Sequence, residues 1–72
     1  SETERGIEFY KNGKFNEAIE ILKNAVQTDK SNPVSYYYLG LSFENINNNK
    51  EAISSFQKST DSTYNFFLDG LY

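Results

Sequence analysis

The 72-residue chain contains no cysteine, histidine, methionine or tryptophan. Without cysteine no disulfide can form, and without histidine or cysteine the usual zinc ligand sets, catalytic triads and reactive thiolates are excluded. The lack of cysteine leaves the cellular compartment undetermined. Because the chain also opens on Ser1 rather than on methionine, we expect it to be a piece of a longer protein.

Basic residues are outnumbered, with seven Lys and Arg against ten Asp and Glu and a net charge of −3. Binding to phosphates needs clustered Lys and Arg, so nucleic acid is not expected as a partner. No apolar run approaches the roughly 20 residues of a membrane span, so membrane insertion is not expected either. The four glycines are scattered and form no phosphate-binding loop. We therefore predict a non-enzyme, with no catalytic, cofactor-binding or metal-binding residues.

Hydrophobic periodicity predicts helices and no strands. The predicted helices span residues 2–12, 15–28, 33–46 and 50–60. Gly13 ends the first helix because it adopts the left-handed conformation without strain. The third helix begins at Pro33, since Asn32 before it is a good N-cap and proline suits the first helical position.

The fourth predicted helix is followed by a break and an apolar tail. Its inward residues are expected to be Ala52, Ile53, Phe56, Ser59 and Thr60. Residues 61–63, Asp-Ser-Thr, are typical N-caps and predict the break. Residues 64–72 then read as the start of a fifth helix.

A shift of 34 residues aligns the chain with itself. The aligned pairs are Gly6 with Gly40, Phe9 with Phe43, Ala18 with Ala52, Ile19 with Ile53, and Leu22 with Phe56. The same shift pairs Gly13 with Asn47, and both residue types tolerate the left-handed conformation of a turn. The matches fall on helix faces and turns, which predicts a helix–turn–helix unit that repeats.

The second unit has an aromatic residue, then Leu-Gly, then a second aromatic, and later Ala-x3-aromatic. These residues are Tyr36, Leu39, Gly40, Phe43, Ala52 and Phe56. The pattern resembles that of the tetratricopeptide repeat (TPR) family, and the first unit is similar through Gly6-x2-Phe9 and Ala18-x3-Leu22. The resemblance implies an all-α fold of antiparallel helix–turn–helix repeats, stacked as a right-handed TPR superhelix and forming an α-solenoid fragment.

The resemblance implies one TPR-like domain over residues 1–72. Unit one would span about 1–32, unit two about 33–62, and a partial third unit or capping helix about 63–72. Residues 66–71, Phe-Phe-Leu-Asp-Gly-Leu, compare with residues 36–41 of unit two, and the apolar tail is expected to pack on that unit. The family's proline after each second helix is replaced by Lys30 and Tyr64, so looser turns are expected there.

In TPR proteins the first helix of each unit lines a concave groove that holds a peptide or a helix. By resemblance the groove residues here are Ile7, Tyr10, Lys11, Tyr37, Tyr38, Leu41, Glu44 and Asn45. Periodicity independently places Tyr37 and Leu41 on a second apolar stripe. TPR proteins that bind acidic chaperone tails carry basic and amide residues where Thr3, Ile7 and Tyr38 stand here. No carboxylate clamp is therefore expected.

The predicted function is a protein–protein interaction scaffold that binds an apolar or aromatic segment of a protein or peptide partner. In the alternative, the chain is a structural segment of a longer TPR array, and its groove residues only pack on neighbouring helices or mediate self-association. The apolar C-terminal segment is the expected site of self-association. The RNA-binding pentatricopeptide repeat has a similar period, but the acidic charge and the lack of basic groove residues argue against it.

Overall fold

A computed structural model describes residues 1–71 and the side chains of residues 1–65, 67 and 68. It has four α-helices, α1 Glu2–Lys11, α2 Phe15–Thr28, α3 Pro33–Asn45 and α4 Asn49–Leu71. The structure is 84% helical, and residues 1–71 include no strand. Consecutive helices pack on one another, and α1 also contacts α3. The predicted all-α repeat fold is confirmed.

The turns after α1 and α3 have the same geometry, 34 residues apart. Gly13 has φ 76° and Asn47 has φ 64°, so both are left-handed as predicted. In each turn the next amide donates a hydrogen bond of 2.9 Å to a phenylalanine carbonyl five residues earlier, Lys14 to Phe9 and Asn48 to Phe43. This is the Schellman arrangement, which satisfies carbonyls left open at a helix end. The repeat is therefore present in backbone geometry as well as in sequence.

Polar side chains hold the connection between α2 and α3, where the family's proline is missing. The Asp29 carboxylate accepts hydrogen bonds from the Ser31 amide at 3.2 Å and from its hydroxyl at 2.9 Å. The Asn32 side chain then caps α3 by accepting from the amides of Val34 and Ser35. The predicted start of α3 is confirmed. The expectation of a looser turn stays a prediction, and these hydrogen bonds lie where the proline is missing.

The hydrophobic core lies between the paired helices of the two repeats. Its buried residues are Ala18, Ile19, Leu22, Leu39, Phe43 and Ala52, and the half-buried residues packed on them are Phe9, Tyr10, Val26, Tyr36, Tyr38 and Phe56. Three serines, Ser35, Ser42 and Ser55, are buried as well. A small side chain lets a neighbouring helix approach closely, so the small size of these serines allows close helix packing.

Two glycines allow the closest helix contacts. A Cβ atom built at Gly6 would lie 2.5 Å from Cγ and Cδ2 of Leu22, and one built at Gly40 would lie 2.5 Å from Cε1 of Phe56. Real Cβ atoms essentially never come this close. The aligned glycines therefore meet the aligned Leu22 and Phe56, and the close approach predicted from the sequence is confirmed.

We expect Gly40→Ala to lower the free energy of unfolding by about 1–3 kcal/mol, as overpacked cores do. The cost of displacing the Phe56 ring exceeds the gain of roughly 1 kcal/mol in helix propensity. Urea unfolding followed by circular dichroism measures the change. In the double variant Gly40→Ala/Phe56→Leu the smaller side chain should recover part of the loss. Strictly additive costs would contradict a contact between the two positions.

The predicted break at residues 61–63 is wrong, because α4 continues without interruption to Leu71. Thr63, one of the residues expected to cap a new helix, instead donates its hydroxyl to the Ser59 carbonyl one turn back at 3.0 Å. Thr60, just before the predicted break, donates in the same way to Phe56 at 3.1 Å. No proline or glycine stands between residues 50 and 69 to stop the helix. The tail is thus an extension of α4 and not a fifth helix.

Two of the five predicted inward positions of α4 are also wrong. Ile53 is 60% exposed and Thr60 is exposed, whereas Ala52 is buried and Phe56 and Ser59 are half-buried. Tyr64 and Phe67, expected to pack on the second unit, are 61% and 64% exposed, so that expectation is wrong for these two residues. The sequence matches predicted for Phe66, Asp69, Gly70 and Leu71 concern residues whose side chains are not among those described. Tyr72 lies outside the described residues.

Candidate functional site

The face shared by α1 and α3 carries the predicted groove residues. The rings of Tyr10 on α1 and Tyr38 on α3 meet edge to face, with centroids 5.5 Å apart and planes at 69°. Both tyrosines are half-buried and pack on the core. Each ring therefore joins the two repeats and also presents an edge to solvent.

Tyr10 and Tyr38 belong to a row of five rings that runs through all four helices. Tyr10 also contacts Phe15 of α2, with centroids 5.7 Å apart. Tyr38 contacts Tyr37 at 5.4 Å, and Tyr37 contacts Phe56 of α4 at 5.9 Å. Tilted and edge-to-face ring pairs contribute roughly 0.5–1.5 kcal/mol each beyond burial. The row therefore holds the tyrosines of this face in place before any ligand binds.

Tyr37 is the most open ring of the row, with 47% of its surface exposed. Ile7 and Leu41, the aliphatic members of the predicted set, are half-buried on α1 and α3. A large aromatic ring that is fixed on two sides and open on a third gives contact area with little loss of conformational freedom.

The polar members of the predicted set are exposed at the C-terminal ends of their helices. Lys11 lies in the last turn of α1, and Glu44 and Asn45 lie in the last turn of α3. The Asn45 amide donates to the carbonyl of Leu41 at 2.8 Å, a bond within its own helix. This end of the face thus carries charges of both signs.

At the N-terminal ends of α1 and α3, polar side chains of this face form a hydrogen-bonded cluster. The hydroxyls of Thr3 and Ser35 lie 2.8 Å apart, and the Asn32 side-chain amide donates to the Thr3 hydroxyl at 3.3 Å. Ser35 is fully buried. Thr3, which occupies a carboxylate-clamp position by resemblance, therefore bonds to α3 and its cap.

Val34 is a further exposed residue of this face that was not predicted. Val34 is 47% exposed and precedes Tyr37, Tyr38 and Leu41 at the spacing i, i+3, i+4, i+7. Phe56 was predicted only as an inward residue, although its ring also contacts Tyr37 of the face, and Phe15 contacts Tyr10 in the same way. Sequence spacing could have found Val34, but not the ring contacts between helices.

At the start of α1, the carboxylate of Glu4 interacts with the hydroxyl and the terminal ammonium group of Ser1. The pKa of Glu4 is lowered, first by the hydrogen bond from the Ser1 hydroxyl and then by the nearby terminal ammonium group. Glu4 is exposed at the start of α1 and complements the helix dipole there.

Within the described part of the chain, no group of three acidic, histidine or cysteine side chains is arranged to hold a metal ion. A helix of the length and apolarity needed to cross a membrane is likewise not found among residues 1–71.

Helix pairs that repeat with one turn geometry and one glycine contact define an all-α helical repeat protein. Comparison with known families agrees. A family described as TPR repeat matches residues 6–47, and one described as tetratricopeptide repeat matches residues 33–65. The first match covers more than half of the chain, which therefore belongs to the tetratricopeptide repeat family. TPR repeats are generally protein–protein interaction modules without catalytic activity. Searches of curated proteins and of solved structures gave no significant match.

Proposed function

We propose that the α1/α3 face binds an apolar or aromatic segment of a partner protein, either an extended peptide or a helix. The observation that carries the proposal is Tyr37, which is 47% exposed although its ring is fixed between Tyr38 and Phe56. Tyrosine is enriched among residues that dominate binding energy, because it joins a large contact area to a hydroxyl that tolerates water. Val34 and Leu41 extend the apolar surface on the same helix face.

The charges of this face favour an uncharged ligand segment. Ile7 and Tyr38 occupy places where a carboxylate clamp needs cations or amides, and the Thr3 hydroxyl is engaged by Ser35 and Asn32. Lys11 and Glu44 are of opposite sign and add no net charge. An acidic C-terminal peptide would find no matching pair of cations among these residues. The same residue inventory, without histidine or cysteine, supports a binding role rather than an enzymatic one.

Selection from a random 12-residue phage-displayed peptide library against the 72-residue chain tests this function. We expect the selected peptides to be enriched in aromatic and large aliphatic residues. Tyr37→Ala should weaken a selected peptide about tenfold or more, as loss of an aromatic hot-spot residue does. Because Tyr37 is half exposed but pairs with two rings, we expect the unfolding free energy to fall by about 1–3 kcal/mol, below the cost of emptying an aromatic core site.

The matched control is Tyr64→Ala, which removes a tyrosine from α4, away from this face; Tyr64 is 61% exposed, against 47% for Tyr37. It should leave peptide affinity unchanged. Selected peptides rich in Asp and Glu, or equal losses of affinity in both variants, would show that the α1/α3 face is not the binding site.

The contact between Tyr37 and Phe56 supports a second candidate, a segment of a longer array in which Tyr37 only packs. In that case Tyr37→Ala and Leu41→Ala should each lower the unfolding free energy by several kcal/mol, as buried large-to-small changes do. The urea titration and the peptide affinity together separate the two functions. Lost affinity with a loss of stability confined to the ring pairs supports binding, and a loss of several kcal/mol in both variants without peptide binding supports packing.

A further inference from the structure

The outer face of α4 is apolar and uncovered in the described structure. Ile53 is 60% exposed, Tyr64 is 61% exposed and Phe67 is 64% exposed. The equivalent face of the first repeat shows how this chain covers such residues. Ile19, the equivalent of Ile53 in the first unit, is only 8% exposed because the next helix, α3, packs on α2. The exposed face of α4 is thus of the kind that this chain covers with a helix.

Residues 1–71 contain no helix that returns along this face. The turn at Asp29–Asn32 brings α3 back along α2, but the equivalent residues 63–66 are helical and continue α4. The apolar residues of the tail are therefore carried away from the face that they would have to cover. Within the described residues the outer face of α4 therefore stays uncovered.

The face is self-complementary about Thr60. Thr60 lies within α4 and is exposed. Ile53 and Phe67 lie at equal distances before and after Thr60, and so do Phe56 and Tyr64. In an antiparallel pair of α4 helices with its two-fold axis at Thr60, Ile53 would meet Phe67 of the second copy and Phe56 would meet Tyr64. This is the isologous contact that a two-fold dimer requires.

Two surface hollows flank the same residue. A hollow of about 310 Å³ is lined by Ile53, Phe56, Gln57, Thr60 and Asp61. A second hollow of about 440 Å³ is lined by Ser59, Thr60, Thr63, Tyr64 and Phe67. Thr60 belongs to both. The antiparallel arrangement places the aromatic residues lining the second hollow opposite the first, and Ile53 and Phe56 opposite the second.

We propose that the chain forms a two-fold symmetric dimer through the outer face of α4, with Thr60 at the axis. A helix of 23 residues is about 34 Å long and about 10 Å wide. Two such helices in contact along their whole length cover about 340 Å² on each copy, which is the size of a weak, transient interface. The expected dissociation constant is therefore about 100 μM. Each copy carries a charge of −3, so added salt should strengthen the apolar contact by screening the repulsion.

Sedimentation equilibrium of the 72-residue chain tests the proposal. The weight-average mass should rise from 8.3 kDa towards twice that value with increasing concentration, over about 1 μM to 1 mM. Thr60→Lys and Thr60→Glu each place two like charges at the axis, and each should raise the dissociation constant about 100-fold or more. An equimolar mixture of the two variants should restore dimers, because opposite charges then meet.

Thr28→Lys is the matched control. Thr28 is also exposed and donates its hydroxyl to a carbonyl one turn back, but it lies on α2. This variant should dimerise like the unmodified chain. A monomer over the whole concentration range overturns the proposal and leaves the face to the helix of a different protein. A dimer that is unaffected by Thr60→Lys also overturns it. Neither result bears on peptide binding, because Thr60 is not on the α1/α3 face.

Discussion

Leu22→Ala is expected to lower the free energy of unfolding by about 3–5 kcal/mol, the upper part of the range for buried leucines. Leu22 is fully buried in α2 and packs directly on the backbone of Gly6. Glycine has no side chain that could move into the space, so the cavity would stay open. Cavities that cannot collapse give the largest losses.

This loss matters because the protein is small. A single core of this size supplies roughly 3–5 kcal/mol when no disulfide or metal reinforces it, and the chain has no cysteine or histidine. Leu22→Ala should therefore be largely unfolded at 25 °C. Far-UV circular dichroism and a urea titration would show a lost or greatly weakened transition.

Leu22→Met is the control, because it keeps the side-chain volume and should cost less than about 1.5 kcal/mol. A cooperative transition in Leu22→Ala within about 1 kcal/mol of the unmodified chain would be far below the cost of a buried leucine. It would mean that α1 and α2 do not pack as described.

Ile19→Ala and Ile53→Ala form the second expected result. The two isoleucines stand 34 residues apart at the same position of the two repeats. Ile19 is 8% exposed and Ile53 is 60% exposed. Ile19→Ala should lower the unfolding free energy by about 2–4 kcal/mol, as a buried isoleucine does. Ile53→Ala should change it by less than about 0.5 kcal/mol, since alanine has the higher helix propensity and little packing is lost.

The pair is measured by urea unfolding at concentrations low enough to keep the chain monomeric. Each variant is the other's control, because residue type, helix position and substitution are identical. Equal losses would show that something covers Ile53 in solution. Repeating the Ile53→Ala titration at high concentration then tests whether the cover is a second copy.

Much of the fold could be predicted because local physics specifies it. Gly13 and Asn47 suit left-handed turn positions, and both adopt them. Asn32 caps α3, as expected for an amide before a helix that opens on proline. The aligned Gly6 and Gly40 contact the aligned Leu22 and Phe56. These features depend on the conformational preferences and sizes of a few residues, which a sequence states directly.

The groove residues were predicted by resemblance, and their assignment as a binding site stays a prediction. Periodicity could place Tyr37 and Leu41 on one face of α3, but it could not show Tyr37 between Tyr38 and Phe56. Contacts between rings of different helices depend on how the helices cross. For the same reason the burial of Ser42 was not anticipated, since a serine alone indicates surface as readily as a helix contact.

By itself, then, the sequence determined the repeat, the turns and the glycine contacts, because each follows from residues close in the chain or from one aligned pair. Only the tertiary structure decided the fate of α4. The residues at 61–63 can cap a new helix or continue an old one, and here they continue it, with the Thr63 hydroxyl donating to the Ser59 carbonyl one turn back. Ile19 and Ile53 have equivalent positions in sequence, yet α3 covers only the first. The burial of a residue depends on the helix that packs on it, and that helix lies outside the repeat unit itself.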